Sequence, residues 1–114
     1  MTPLEQLDAY LQQLQLAGIR ATDDPRDINP PAVLLRAPVL QYRFGRGCVA
    51  ADWTARLVLV NSGTRQALQE ALPLLQRIQD ALQGAVVTAT PADFELPDGG
   101  GPTPGYQLTW STHL

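Results

Sequence analysis

The first seventeen residues have the spacing of an amphipathic helix. Leucines recur at intervals of three and four residues, which places them on one side of a helix, at Leu4, Leu7, Leu11 and Leu14. Thr2 is a suitable N-cap, Pro3 suits the first helical position, and Glu5 completes a capping box. Gly18 is a natural stop. The pattern predicts a helix over residues 3–17 whose leucine stripe contacts the core.

The next segment changes from turn-forming to apolar residues. Residues 19–31 are rich in Asp, Asn and Pro, a composition that favours turns and predicts an irregular connector. Residues 32–36 (AVLLR) are a short apolar run that predicts a strand. Because Pro38 follows closely, we expect this strand to end there or to lie at a sheet edge.

Strict alternation of apolar and polar residues follows. Within residues 39–44 the side chains of Leu40, Tyr42 and Phe44 share one side. Residues 50–60 form the longest alternating run, with four residues on one side, namely Trp53, Ala55, Leu57 and Leu59. The glycines of Gly45-Arg46-Gly47 can supply the reversal between the two runs. The pattern predicts a hairpin over residues 39–60 with one apolar face.

The second half of the chain predicts one more helix and two more strands. Residues 65–83 carry apolar side chains at helical spacing, at Leu68, Leu72, Leu75, Ile78 and Leu82. Pro73 should kink this helix, and Gly84 should end it. Residues 85–90 and 106–112 are predicted strands. Between them, residues 91–105 are rich in Pro and Gly and are predicted to be a long loop, a common place for binding contacts.

These elements define an α+β fold in the order α-β-β-β-α-β-β. We expect residues 1–114 to be a single domain of two layers. A mainly antiparallel sheet of about four to five strands would carry both helices on one face. Neither the strand at 32–36 nor the strand at 106–112 carries lysine or an internal proline. Both are therefore expected to be unguarded edges that invite pairing with another subunit.

The composition argues against catalysis. The 114 residues include one histidine, His113, one cysteine, Cys48, and no lysine, and all eight basic residues are arginine. Arginine titrates too high for general-base work and is a poor nucleophile. Cys48 could be a nucleophile only with His113 as its base, and a small, partly buried thiol is the ordinary fate of a lone cysteine. We therefore expect no enzyme activity, no bound metal and no cofactor.

Net charge and the N-terminal residues argue against two further classes of protein, nucleic-acid binders and exported or membrane proteins. The net charge is −3 and the arginines are scattered, whereas a dedicated nucleic-acid binder needs clustered cations. The N-terminal residues lack the basic and apolar regions of a signal peptide, and no apolar run reaches membrane-spanning length. A soluble protein made in a cytoplasm is expected. Charged residues make up only 17% of the chain, which favours a subunit that assembles.

Three segments of the chain carry a family resemblance, namely residues 19–27 (IRATDDPRD), 42–48 (YRFGRGC) and 106–112 (YQLTWST). They resemble tail terminator proteins of long-tailed siphophages that infect actinobacteria. The resemblance runs from about residue 4 to residue 114, and the element order is also similar to that of the family. The absence of lysine fits a phage of a GC-rich host.

The resemblance implies a structural virion protein. It would form a homohexameric ring that caps the tail tube, stops tube polymerisation and joins the tail to the head-completion, or stopper, protein. Double-stranded DNA would pass through the lumen only as cargo, and the protein would lie in the virion at the top of the tail after assembly in the host cytoplasm. Acidic residues would suit the lumen wall, and the candidates are Asp8, Asp23, Asp24 and Asp27.

By the same resemblance, the tip at residues 45–48 and the loop at 91–105 would contact a neighbouring subunit, the tube or the neck. The candidate contact residues are Arg43, Arg46, Gly47, Pro91, Phe94, Leu96, Pro97, Pro102 and Pro104. Other readings remain open at this point. They are another neck or tail-completion component such as a stopper or tube-like subunit, a small cytoplasmic binding module, and a thiol enzyme that uses Cys48.

Overall fold

A computed structural model describes residues 2–42, 49–60, 63–82, 85–95 and 102–113. The two α-helices are α1 (Pro3–Leu16) and α2 (Thr64–Ala81). The six strands are β1 (Ala21–Thr22), β2 (Ala32–Leu35), β3 (Val39–Tyr42), β4 (Val49–Val58), β5 (Thr88–Glu95) and β6 (Pro102–His113). A short 3₁₀ helix spans Pro25–Asp27.

The strands form one sheet in the order β1-β2-β4-β6-β5, and β3 also pairs with β4. Every pairing is antiparallel except that of β1 with β2. The long strand β4 therefore has β6 along one edge and β2 followed by β3 along the other. The predicted α+β class with two helices is confirmed, and so is the antiparallel pairing of β3 with β4.

Both edge-strand predictions are wrong. β2 lies between β1 and β4, and all four of its residues are buried. β6 lies between β4 and β5 and is hydrogen-bonded on both sides. The described edges are instead the two-residue β1, the eight-residue β5 and β3, which pairs only with β4. An apolar run buried on both sides is typical of an interior strand, and the nearby Pro38 lies beyond the end of β2.

The connector at 19–31 contains more regular structure than predicted. The Val33 N–H donates to the carbonyl of Arg20 at 2.8 Å, which begins the parallel pairing of β1 with β2. The 3₁₀ helix follows because the Asp24 carboxylate accepts from the Arg26 N–H and caps its first turn. This capping is the turn role expected for the aspartates of the segment.

The predicted loop at 91–105 is mostly strand, which corrects that prediction. Residues 91–95 belong to β5 and residues 102–105 belong to β6, with Phe94 paired to Thr103 and Ala92 to Gly105. Only residues 96–101 of the predicted loop lie outside the described residues. The strand predicted at 85–90 begins only at Thr88.

The geometry of the ladder explains why Pro91 is tolerated in β5. The Leu59 N–H donates to the Pro104 carbonyl at 2.9 Å, so the carbonyl of Pro104 points toward β4. Because the backbone polar groups of successive residues point to alternate sides of a strand, those of Gly105 point toward β5, and the carbonyl of Pro91 points out of the sheet. The N–H that Pro91 lacks would therefore have faced the outer edge, where no ladder partner lies.

The core lies between the helices and one face of the sheet. The alternation predicted for β4 and β6 is confirmed, because Trp53, Ala55, Leu57 and Leu108 are fully buried on the helix-covered face. Three aromatic rings connect α1 to this face. Tyr10 stands edge-on to Trp53 at 5.1 Å and to Trp110 at 5.4 Å, and the two tryptophans are stacked at 6.4 Å.

The helices begin and end close to the predicted positions, and most of the predicted stripe residues contact the core, but three of them do not. The Thr2–Glu5 capping box is present, and Gly18 adopts a φ of 79° after α1. Leu4 is 68% exposed, and Leu68 and Leu72 of α2 are also exposed. The predicted leucine stripes therefore do not all contact the core.

In α2 the small residues Ala67 and Ala71 take the inward positions, together with Ile78 and Leu82. The leucines one position further along are then left on the outside. Pro73 does lie inside α2, as the sequence shows.

Candidate assembly surfaces

One face of the sheet is covered by the helices and the other is open. Residues of the open face alternate with the core residues along β4 and β6, as their register shows. Most are polar, namely Asp52, Thr54, Arg56, Gln107, Thr109 and Ser111. The Ser111 hydroxyl donates to the Asp52 carboxylate at 2.6 Å across the two strands. Neither α1 nor α2 packs on this face, and of the described helical residues only Pro25 of the 3₁₀ helix borders it.

An aromatic ring from the edge strand reaches inward across the open face. Phe94 of β5 is only 6% exposed although its neighbours on both sides along the strand are exposed or half-buried. Its ring lies over Gly105 of β6, where an added Cβ would come within 2.7 Å of the ring carbon Cε2. The Arg56 guanidinium of β4 lies 5.1 Å from the ring centroid, within cation–π range.

Two arginines meet beside this ring. Leu34 of β2 pairs with Arg56, and the N–H of Arg36 donates to the Thr54 carbonyl at 3.0 Å, so Arg36 and Arg56 are diagonal neighbours on the open face. Burial lowers the pKa of Arg56, and the positive charge of Arg36 lowers it further. Both effects make the charged form of Arg56 less favourable than it would be in water.

Within the described residues neither arginine has a carboxylate partner. The one salt bridge there joins Arg26 to Asp24 at 3.1 Å. The Nε of Arg56 is buried without a hydrogen-bond partner. We call the site formed by Pro25, Arg36, Arg56, Phe94 and Glu95 the arginine corner. It surrounds a cavity of about 320 Å³ whose floor is formed by Leu34 and Val58.

A second surface lies on the helix-covered side. A groove of about 490 Å³ separates the N-terminal half of α2 from the β5–β6 hairpin. Its walls include Leu68 from the helix and Pro91, Pro104 and Tyr106 from the strands. We call it the helix–hairpin groove. Leu72 lies one helical turn beyond Leu68 on the same exposed side and is 59% exposed.

Further apolar side chains are exposed at the ends of the molecule. Leu16 at the end of α1 is 80% exposed and Tyr42 of β3 is 74% exposed. Val39 and Val86 are also exposed and line one shallow depression at the end of the open face, together with Thr54 and Thr109. Exposed apolar side chains that cluster beside grooves are typical of contact surfaces.

The structure separates the predicted contact residues into three groups. Pro91 and Pro104 lie together in the helix–hairpin groove, whereas Phe94 is in the arginine corner on the opposite face. Pro102 is exposed and pairs with Glu95 at the end of the hairpin. The remaining predicted contacts lie outside the described residues, and they are Arg43, Arg46, Gly47, Leu96 and Pro97.

The sequence reasoning missed Arg36 and Arg56. Arg56 alternates with Ala55 and Leu57 and therefore falls on the polar side of its strand, but polar-side residues of a strand are usually only solvated. The available signal was weak, and it consisted of an arginine in each of two adjacent predicted strands. The register that places these residues side by side depends on tertiary pairing.

The acidic residues proposed for a lumen lie on two elements. Asp8 is exposed on α1, and Asp23, Asp24 and Asp27 lie in or beside the 3₁₀ helix. The Asp24 carboxylate accepts hydrogen bonds from Arg26, and these bonds hold its pKa below its ordinary value. The three clustered aspartates are therefore used partly to close a turn.

Two searches of the described residues bear on other classes of site. No three His, Cys, Asp or Glu side chains lie close enough together there to hold a metal ion. Neither of the described helices combines the length and apolar character needed to cross a bilayer. Cys48 lies outside the described residues.

No family model matches the chain, and no curated protein matches it significantly.

Proposed function

We propose that this chain is the tail terminator subunit of a long-tailed siphophage, a structural protein that assembles into a ring. In this proposal the ring caps the tail tube, ends tube growth and joins the tail to the stopper protein of the neck, and DNA passes through its lumen. The protein acts by contact alone and is not an enzyme. Its place is in the virion, at the top of the tail.

The observation that carries the proposal is that the single sheet has unpartnered surfaces on both sides. The open face carries the arginine corner, whose two guanidinium groups lack carboxylate partners among the described residues. The opposite side carries the helix–hairpin groove and exposed leucines of α2. A ring subunit needs two different surfaces that fit each other in a neighbouring copy. These features support assembly, and the resemblance of three sequence segments supports the particular assembly.

The α+β fold with helices on one face of a mostly antiparallel sheet also agrees with the element order of the family that the sequence resembles. The net charge of −3 suits a lumen through which DNA moves without binding. A tube-like subunit would build open stacks instead of a closed ring. A terminator and a tube-like subunit therefore differ in whether their assembly closes into a ring, and imaging shows this directly.

Negative-stain imaging of the purified protein, alone and mixed with tail tubes, tests the proposal. We expect closed rings of one diameter, seated at tube ends and not along the tube wall. Adding the protein during tube polymerisation should shorten the mean tube length. Open stacks would favour a tube-like subunit, and particles that stay monomeric at every concentration would favour a solitary binding module. Either result would overturn the proposal.

A Leu72→Glu variant provides a sharper version of this experiment. Leu72 is 59% exposed beside the helix–hairpin groove, so a glutamate there should leave the fold intact while it opposes burial of the groove. Gln66→Glu, an exposed position on another side of the same helix, is the matched control for added charge. If the groove is an assembly contact, Leu72→Glu should abolish tube capping or ring formation, and Gln66→Glu should not.

A further inference from the structure

The arginine corner has the composition of a binding site for one carboxylate. Each guanidinium has five N–H donors and no acceptor, and those of Arg36 and Arg56 have no salt-bridge partner within the described residues. The Arg56 guanidinium lies over the ring of Phe94, which limits the directions in which its donors can point. Two neighbouring guanidinium groups match the two oxygens of a carboxylate.

The charges around the corner favour a single carboxylate over a polyanion. Glu95 lines the cavity, and Asp52 lies on the same open face. Binding of a nucleic acid depends on several clustered cations that release counterions. Two arginines with the Glu95 carboxylate beside them do not provide this. An isolated acidic side chain on a protein surface fits both the charge and the size of the site.

The acidic residues of this chain differ in how free they are to fill such a site. Asp24, Glu5 and Asp52 already accept hydrogen bonds within the chain. Asp23 and Asp27 flank Pro25, a wall of the corner itself. A carboxylate from that region of a second copy would give a two-fold contact that closes as a dimer and forms no ring.

Asp8 lies on an exposed side of α1, with exposed leucines on both sides of it. Residues four apart on a helix form one row, and the row that contains Asp8 is fully exposed, with Leu4, Gln12 and Leu16. Its two leucines are 68% and 80% exposed and lie about 18 Å apart along the helix axis. An acid flanked by leucines complements the open face, which has the arginine corner at one end and the exposed Val39 and Val86 at the other.

The two surfaces lie on opposite sides of the subunit. α1 packs on the helix-covered face through Tyr10 and Leu14, whereas the corner belongs to the open face. A contact between them joins the back of one copy to the front of the next. Such a heterologous contact closes into a ring when the rotation per subunit is suitable.

We propose that α1 of one subunit docks on the open sheet face of the next, with the Asp8 carboxylate held between Arg36 and Arg56. This inference rests on the proposed ring and names its subunit contact. It places Asp8 between subunits and not in the lumen. The helix–hairpin groove then remains for contact with the tube or the neck.

A charge exchange tests this pairing. Asp8→Arg and Arg36→Glu both change exposed positions, so each single variant should fold, as checked by circular dichroism. Each should weaken subunit association by at least about tenfold, because like charges then meet in the contact. The double variant Asp8→Arg/Arg36→Glu should associate more tightly than either single variant but less tightly than the parent, because the exchanged pair is again of opposite charge while Arg56 stays positive. Mass photometry or sedimentation over a range of concentrations measures the effect.

Matched controls make the same charge changes elsewhere. Asp80→Arg and Arg77→Glu alter exposed residues of α2 and should leave association within about twofold of the parent, since such exposed changes act only through weak, screened charge. If folded single variants associate normally, or if the double variant is no better than the singles, the Asp8 pairing is wrong.

The result separates this inference from the proposed function. Rings that cap tubes while the exchange fails to restore association would overturn the pairing and leave the terminator proposal standing. If the charge exchange changes association as expected but the rings never seat on tube ends, the Asp8 pairing stands and the terminator proposal is wrong.

Discussion

The ring of Phe94 lies against Gly105 of the adjacent strand, and the two residues depend on each other. A methyl group at residue 105 would come within 2.7 Å of the ring and would also collide with the Leu57 carbonyl oxygen. Glycine at 105 thus lets Phe94 turn inward across β6 and place its ring under Arg56. The arginine corner exists because this one position has no side chain.

We expect Gly105→Ala to lower the free energy of unfolding by about 2–3 kcal/mol, because the backbone or the ring must move. Chemical denaturation measures the loss. Gly63→Ala is the control, since the nearest atom to an added Cβ there lies at 3.6 Å, and it should cost no more than about 1 kcal/mol. Equal stability of the Gly105→Ala variant and the parent would show that the strands are not so closely packed.

The Gln79 side chain explains why β5 begins later than predicted. Its amide nitrogen donates to the Ala85 carbonyl, and its oxygen accepts from the Val87 N–H at 3.1 Å. The segment before β5 is therefore held against α2. Gln79→Ala should cost about 1–2 kcal/mol, because two backbone groups lose their partner.

Gln76→Ala is the matched control for that prediction. Gln76 is exposed on the same helix, and its amide donates to the neighbouring Asp80 carboxylate. Its loss should cost less than about 0.5 kcal/mol. Thermal or chemical denaturation of both variants gives the comparison, and hydrogen exchange at Val87 should be faster in Gln79→Ala alone.

The indole N–H of Trp53 donates to the Thr112 hydroxyl at 2.9 Å across β4 and β6. Thr112→Val keeps the shape and removes the acceptor, so we expect a loss of about 1–2 kcal/mol. Thr109→Val on the open face of the same strand should stay within about 0.5 kcal/mol. Tryptophan fluorescence during denaturation follows both, and a larger loss for Thr109→Val would contradict the assignment.

The helix cap predicts a pH dependence. The Thr2 backbone N–H donates to the Glu5 carboxylate, and together with the Thr2 side-chain contact this holds the pKa of Glu5 below its ordinary value of 4.5. A depressed pKa in the folded state stabilises the fold at pH above the unfolded value, and this contribution is lost as pH falls through the folded value. In Glu5→Gln this part of the pH dependence should disappear.

The measurement is the free energy of unfolding of the parent and of Glu5→Gln from pH 7 down to pH 3. The two curves should converge as the pH falls below 4.5. Parallel curves over the whole range would mean that the carboxylate contributes no cap in solution.

The sequence by itself determined the helix caps, the helix ends and the alternation within strands. The Thr2–Glu5 cap, the helix end at Gly18 and the inward alternation of residues 53–59 all follow from side chains a few residues apart, and the structure has each of them. They were predictable because capping, left-handed glycine and strand pleating act over one or two turns of chain. The α+β class follows from the order of such elements.

Only the tertiary structure decided which strands are central, which sides of the helices are buried and which residues share a site. Pro91 suggested a loop, yet it lies in an edge strand at the one kind of position where a missing N–H is harmless. Leu68 and Leu72 are exposed because Ala67 and Ala71 take the inward positions of α2. Arg36 and Arg56 meet through strand register. These outcomes depend on contacts between residues far apart in sequence, where packing and ladder geometry outweigh local preference.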